Sequence, residues 1–209
     1  MKLLIVDDHA VVRAGLKQIL SAISPQPVIG EADNAQSALD QLKEASWDML
    51  LLDISLPDIN GINLLKVIKS EWPDLPVLIL SIFPEDQYAI RAIKSGANGY
   101  MTKESAPEEL IHAIKKVAKG GRYITADLAE KLAFALDDIS DKHSHEALSD
   151  REYEVMCLIA SGNTVSHIAR QLNLSVKTVS TYRTRVLAKL KLANNAELTH
   201  YAIKQGLIE

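Results

Sequence analysis

Five short apolar-rich segments recur in the first half of the chain: Leu3 to Val6, Pro27 to Ile29, Met49 to Leu52, Val77 to Leu80 and Asn98 to Met101. Between them apolar positions return at helical spacing, which predicts strands alternating with helices. Runs such as Leu3-Leu4-Ile5-Val6 and Met49-Leu50-Leu51-Leu52 are apolar on both faces, as parallel strands covered by helices on each side must be. The helices are expected over about 9–22, 34–45, 61–71 capped by Asn60, and 85–95 stopping at Gly96. Ser105-Ala106-Pro107-Glu108 is expected to open a fifth helix with Ser105 as its cap. The pattern predicts an α/β, doubly wound five-stranded parallel sheet ending near residue 121.

The remainder has a different rhythm. Thr125 to Leu136 has apolar residues at 128, 132, 135 and 136, the spacing of a short amphipathic helix. Asp137 to Glu146 is polar without an apolar period and reads as a linker; its His143 and His145 lack the Cys or carboxylate frame of a metal site. Ser149-Asp150-Arg151-Glu152 is a capping box for a helix that Gly162 ends. A short helix over about 165–172 follows, then a long one from the Ser175 cap to about Leu190, and a last one over about 196–205. The tail is therefore a smaller all-α, four-helix domain with the outline of a helix-turn-helix. The domains expected are 1–121, a linker over 122–146, and 147–209.

A length of 209 residues suits two such domains, and 47% hydrophobic with 24% charged residues is ordinary for a soluble protein. The one cysteine, Cys157, excludes an internal disulfide and fits a reducing compartment. No apolar run approaches the roughly 18 residues of a membrane span, so no membrane association and a cytoplasmic location are expected. The net charge of −4 conceals an asymmetry: residues 1–147 hold 15 Lys+Arg against 22 Asp+Glu, whereas 148–209 hold 8 against 5. An acidic front and a basic back call for different partners, with a polyanion suited to the second.

In doubly wound sheets ligand chemistry sits at the carboxyl ends of the strands. Asp7 and Asp8 follow the first strand, Asp53 the third, Ser81 closes the fourth and Lys103 lies just past the fifth. An acid at a strand end is usually a turn or cap residue, and a surface lysine is usually solvated; four such ends on one edge are harder to dismiss. At ~4 Å and an effective dielectric near 20, each carboxylate pair costs about 4 kcal/mol, so the cluster must protonate, spread or bind a cation. Mg²⁺ suits it, because it prefers oxygen ligands and retains positions for water and phosphate oxygens. With the Lys103 ammonium and the Ser81 hydroxyl, the set can cradle a phosphoryl group, with Asp53 as its acceptor.

These residues carry a resemblance. Val6-Asp7-Asp8, Asp53 with Pro57 and Gly61 following, Leu80-Ser81 and Gly99-Tyr100-Met101-Thr102-Lys103 make residues 1–121 similar to the receiver domain of a two-component response regulator. The resemblance implies that a sensor histidine kinase phosphorylates Asp53. It implies that Asp8, Asp53 and the Ser55 carbonyl bind Mg²⁺ directly and Asp7 mainly through water. It further implies that Ser81 and Lys103 hold the phosphoryl oxygens, and that Tyr100 turns inward when Ser81 moves. Leu56 stands in place of the commoner Met, and Glu104 in place of a frequent Pro.

On the long helix of the tail, Val176, Val179, Val186, Leu187 and Leu190 share one face, expected to be buried. The other shows Lys177, Ser180, Thr181 and Thr184, flanked by Arg183, Arg185 and Lys189, with no acid between 176 and 190. A solvated basic face is the plainer reading; the short helix and turn before it favour insertion into the major groove. Leu148-Ser149, Arg151-Glu152, Glu154-Val155, Ile168-Ala169, Leu172, Ser175, Lys177-Thr178-Val179 and Lys189-Leu190 resemble the helix-turn-helix domain of the LuxR, NarL and FixJ family. By that resemblance Ser180, Thr181 and Thr184 face bases of double-stranded promoter DNA. Lys177, Thr178, Tyr182, Arg183 and Lys189 then meet its backbone, Tyr182 replacing a common His. The family usually binds DNA as a homodimer, with the last helix implicated in pairing; Ala196, Leu198, Ala202 and Ile203 on that helix are expected either in such a surface or packed against the domain's own core.

The expectation is a phosphorylation-dependent transcriptional regulator and not an enzyme, the first domain catalysing only its own phosphorylation and dephosphorylation. An aspartate-nucleophile phosphatase is disfavoured, because Asp53-Ile54-Ser55 lacks a second acid two residues on to protonate a leaving group. A binding module with a silent receiver is disfavoured by the complete set of strand-end residues.

Overall fold

The computed structural model describes residues 1–126, 128–130, 132 and 144–208, which divide into two compact units, Met1–Ala129 and Glu130–Glu209. In the first, five strands, β1 (Lys2–Val6), β2 (Val28–Ala32), β3 (Met49–Asp53), β4 (Val77–Ser81) and β5 (Gly99–Thr102), form one sheet in the order β2-β1-β3-β4-β5. All four pairings are parallel, with Leu3 opposite Met49, Leu50 opposite Val77 and Leu78 opposite Gly99. β3 and β4 are buried along their whole length, as their two-sided apolar runs require, whereas the edge strand β2 is largely part-exposed.

Five helices alternate with the strands: α1 (Ala10–Leu20), α2 (Ala35–Glu44), α3 (Gly61–Glu71), α4 (Glu85–Lys94) and α5 (Pro107–Ala118). Leu3, Ile5, Leu51, Leu78 and Leu80 share a core with Leu16 and Leu20 of α1 and with Leu110, Ala113, Ile114 and Val117 of α5. The alternate residues, Leu4, Val6, Leu50, Leu52 and Ile79, are buried on the opposite face, the side of α2, α3 and α4. Asn34 and Asn60 cap α2 and α3, and Gly96 ends α4 with φ +101°. The expected Ser105 cap of α5 is not formed. The cap residue is Ala106 without a side-chain bond, and Ser105 Oγ pairs with Thr102 Oγ1 at 3.3 Å, so the proline rather than a hydroxyl sets the first turn.

Beyond α5 the chain returns to the sheet. Tyr123 bridges Gly99 in parallel, and Thr125 Oγ1 donates to Glu85 Oε2 over 2.7 Å. Of the helix expected over 125–136, residues 126, 128–130 and 132 are helical and the others lie outside the described residues. Most of the linker expected over 137–146 also lies outside them; its last residues enter a 3₁₀ turn, Ser144–Ala147.

The second unit contains α6 (Asp150–Ala160), α7 (Val165–Gln171), α8 (Val176–Leu190) and α9 (Asn195–Lys204). Ser149, Thr164, Ser175 and Asn194 each cap the following helix by accepting a backbone N–H, and Ser149 and Glu152 complete the capping box. Between α7 and α8 the turn passes through Asn173 at φ +52°, a left-handed position that Asn adopts at low cost. Cys157 lies in the apolar core with Val155, Met156, Val179, Val186 and Leu198.

Candidate functional site

Parallel pairing brings the carboxyl ends of β1, β3, β4 and β5 to one edge of the first unit, and with them the residues singled out in the sequence. Asp7 and Asp53 are each 2% exposed. Lys103 bridges them, with Nζ 2.7 Å from Asp7 Oδ2 and 2.7 Å from Asp53 Oδ2. Asp53 Oδ1 is buried and has no hydrogen-bond partner, and Asp8 Oδ1 is buried with the His9 ring beside it. One ligand atom from each of Asp7, Asp8, His9 and Asp53 lies within 4.8 Å of the others. An orphaned carboxylate oxygen within such a group fits a cation, the ligand that would relieve it.

The electrostatics follow from burial. Burial is the largest influence on Asp53 and pushes its carboxyl up; Lys103 opposes it and Asp7 reinforces it, leaving a pKa of about 6. Burial alone would lower the Lys103 ammonium, but Asp53 and Asp7 outweigh it and hold the amine above the usual lysine range.

Local backbone aims these groups. Gly61 opens α3 against the end of β3: a Cβ there would stand 2.1 Å from the Asp53 carbonyl oxygen and 2.7 Å from Ile54 Cα, closer than any side chain allows. Its N–H donates to the Ile54 carbonyl over 2.7 Å, and Ser55 bridges Asn60, so the loop holding Pro57 folds back on itself. Asp58 in that loop accepts N–H groups from Ala35 and Gln36 and so ties it to the start of α2. Ser55 itself is part-exposed, and its hydroxyl oxygen is buried without a partner.

Ser81 is fully buried at the end of β4, its Oγ accepting the Phe83 N–H over 3.1 Å. Tyr100 is equally buried and donates its hydroxyl to the Phe83 carbonyl over 2.8 Å. Burial raises the Tyr100 phenol above its ordinary range, and a hydrogen bond with Ser81 opposes the shift. Tyr100 is thus already turned inward here, next to Ser81.

Two residues that sequence reasoning passed over join this edge. Arg13 Nη1 donates to the Asp7 carbonyl over 2.6 Å while its Nε reaches Glu31. His9 donates its backbone N–H to Asp7 Oδ1 over 2.8 Å and lays its ring beside Asp8. Arg13 stands four residues after His9, one helical turn, which is the signal a face analysis of α1 would have used.

In the second unit, α8 buries Val179, Val186, Leu187 and Leu190 but leaves Val176 51% exposed, because the first turn projects past the packed neighbours. Lys177, Ser180, Thr181, Thr184 and Arg185 are exposed, and Thr178, Tyr182 and Arg183 are part-buried. The Thr181 and Thr184 hydroxyls donate to the Lys177 and Ser180 carbonyls, and Arg183 Nε donates to Asn195 Oδ1 over 2.6 Å. Lys189 is differently placed: its Nζ lies 2.6 Å from Glu152 Oε2 and 3.3 Å from the Ala147 carbonyl, within the unit's own fabric. On α9, Leu198 and Ala202 are fully buried in the unit's core, while Ala196 is exposed and Ile203 is 52% exposed.

An acidic edge bridged by a lysine on a doubly wound sheet, with a capped helix-turn-helix after it, defines a response regulator with a DNA-binding output. Comparison agrees: residues 3–115 match the response regulator receiver domain, and residues 146–202 match the bacterial regulatory proteins of the luxR family. The chain belongs to the NarL/FixJ family of response regulators. It is 36% identical to response regulator UvrY of Escherichia coli K12 over 208 residues, covering 99% of this chain and 95% of that one. It is 35% identical to response regulator GacA of Pseudomonas aeruginosa over 210 residues, covering 100% and 98%. RcsB from Salmonella enterica serovar Typhimurium, solved bound to promoter rprA with the phosphomimetic BeF3⁻, matches with a TM-score of 0.63 and 29% identity, covering 96% of this chain and 98% of that one.

Proposed function

We propose that this response regulator is a phosphorylation-switched transcription factor built from a receiver (1–121), a linker (122–146) and a DNA-binding domain (147–209). The observation that carries this reading is Asp53 itself: buried, with Oδ2 held by Lys103 and Oδ1 unpartnered beside two further carboxylates. Asp53 Oδ1 is then the nucleophile for the phosphoryl group of a sensor histidine kinase. Lys103, bridging Asp7 and Asp53, is placed to pair with phosphoryl oxygens as they arrive, and Ser81 contributes its hydroxyl after releasing the Phe83 N–H. Asp8, Asp53 and the Ser55 carbonyl would hold Mg²⁺, with Asp7 mainly through water. That ion would neutralise the crowded carboxylates and the incoming phosphoryl oxygens. Tyr100 retains the inward position beside Ser81 and passes the change to the surface of α4 and β5. The receiver's chemistry is limited to its own phosphorylation and dephosphorylation.

The output is read through Val176–Leu190. Ser180, Thr181 and Thr184 face base edges in promoter DNA, while Lys177, Thr178, Tyr182 and Arg183 meet phosphates. Lys189 joins the phosphate contacts after leaving Glu152, or acts by fixing α8 against α6. Of the four α9 residues expected to pair, Ala196 and Ile203 are exposed and join the homodimer contact on DNA. A regulator that binds promoters works in the cytoplasm.

The test is the intact mass of the protein after incubation with Mg²⁺ and acetyl phosphate, beside Asp53→Ala. The expected result is a gain of one phosphoryl group in wild type alone, labile to hydroxylamine. No gain from acetyl phosphate and none from a phosphorylated kinase would reject Asp53 as the switch.

A further inference from the structure

The chemistry above leaves one side chain of the acidic edge unused. His9 places its ring Nδ1 2.6 Å from Asp8 Oδ1 and 3.4 Å from Asp7 Oδ1, within the 4.8 Å group that also contains Asp53. The ring is 64% exposed, so nothing in the core dictates its position against the carboxylates. Asp53, 2% exposed, presents Oδ1 to the same group with no partner.

Carboxylates alone select hard ions, whereas an added imidazole nitrogen shifts preference toward borderline first-row ions. Zn²⁺ takes His nitrogen and carboxylate oxygen at about 2.0–2.2 Å in tetrahedral sites, which puts neighbouring ligand atoms roughly 3.3 Å apart. The separation of 3.4 Å between His9 Nδ1 and Asp7 Oδ1 already meets that spacing. Asp8, part-exposed at the start of the loop, needs only a small side-chain rotation to meet it as well.

We propose that Asp7, Asp8, His9 and Asp53 form a Zn²⁺ site in which His9 Nδ1 is the nitrogen ligand, so that Zn²⁺ competes with Mg²⁺ and inhibits the receiver: four protein ligands close the tetrahedral ion, whereas Mg²⁺ keeps positions open for phosphoryl oxygens. The proposal rests on the reading of these carboxylates as a cation site. It adds selectivity between ions to that reading, through a residue the phosphorylation chemistry does not use.

Calorimetric titration of the full chain with ZnCl₂ and, separately, MgCl₂ tests it in wild type, His9→Ala and Asp8→Asn. The expected result is that His9→Ala weakens Zn²⁺ binding roughly tenfold or more while changing Mg²⁺ affinity less than about twofold. Asp8→Asn is expected to weaken both ions. In parallel, Zn²⁺ should suppress the acetyl phosphate mass gain of wild type in the presence of Mg²⁺, and suppress it far less in His9→Ala. Equal Zn²⁺ affinity in wild type and His9→Ala, with Mg²⁺ binding intact, would overturn the role of His9 and leave the cation site standing. Zn²⁺ binding indifferent to Asp8→Asn would place the ion elsewhere and overturn the proposal too. Failure of wild type to bind either ion would remove the cation site itself.

Discussion

Asp53 shows how a single residue can be both costly and useful. Its folded pKa of about 6 lies above the ordinary 3.8, chiefly through burial, so its ionised form is disfavoured in the fold. The sign follows: a raised carboxyl contributes stability fully below pH about 4 and loses it as pH rises through about 6. Metal-free wild type is therefore expected to lose on the order of 3 kcal/mol across that window relative to Asp53→Asn. Urea denaturation of both proteins at several pH values checks this, and superimposable profiles would refute it. Gly61 is the second demanding position. Gly61→Ala would drive a methyl into the Asp53 carbonyl, with an expected stability loss of about 1–3 kcal/mol and impaired phosphoryl uptake. Denaturation and intact mass would measure the two effects. The Asp53, Pro57 and Gly61 spacing was visible in the sequence, but the reason for the glycine, an approach of backbone to backbone, was not. His9 and Arg13 were missed because they stand beside the acids in the chain, one helical turn apart at the start of α1, and nothing in the pattern told which way their side chains turn.

At the scale of elements, helix ends were the most legible feature. Ser149, Ser175 and Asn60 all cap where the pattern places them, since a cap is a bond between residues two or three apart. Ser149→Ala is expected to cost about 1 kcal/mol, read as a lower Tm with unchanged far-ultraviolet spectrum after refolding. α8 separates two kinds of basic residue. Lys177 is exposed, and Lys177→Ala should weaken DNA binding and reduce its salt slope by about one while leaving Tm unchanged. Lys189 is paired with the buried Glu152, whose carboxyl burial would raise but Lys189 and Ser149 together hold below the usual range. With its side chain 41% exposed, Lys189→Ala should cost only about 1 kcal/mol of stability. Thermal melts beside salt-dependent anisotropy distinguish them, and an unchanged Tm in Lys189→Ala would return that residue to the DNA contacts alone. Periodicity assigned Val176 to the buried face, and packing decided otherwise, because a helix end extends past its neighbours. For Ala196 and Leu198 pairing surface and core were both open, and packing divides them, Leu198 to the core and Ala196 to solvent.

For the whole molecule, the charge asymmetry has a functional consequence. Residues 1–147 carry a surplus of acids that repels DNA, and residues 148–209 a surplus of bases that attracts it. A switch must therefore raise DNA affinity by arrangement rather than by charge, since phosphate makes the acidic part more acidic. Phosphorylated wild type is expected to bind promoter fragments, selected from genomic DNA with the modified protein, more tightly than unmodified protein. Asp53→Ala should bind them alike with and without phosphodonor; a phosphodonor response in that variant would contradict the switch. The sequence by itself determined the number and order of the elements, the parallel sheet and the all-α tail, because each depends on apolar period, turn residues and caps within a few positions. It also determined that Asp7, Asp8, Asp53, Ser81 and Lys103 share one edge, because parallel strands all end on the same side. It took the folded molecule to divide Lys103 between two carboxylates, to leave Asp53 Oδ1 without a partner, to point Tyr100 inward to the Phe83 carbonyl, and to lean His9 on the acids. Those facts depend largely on distances between residues as far apart in the chain as Asp7 and Lys103, set by how whole faces pack and how much water they exclude.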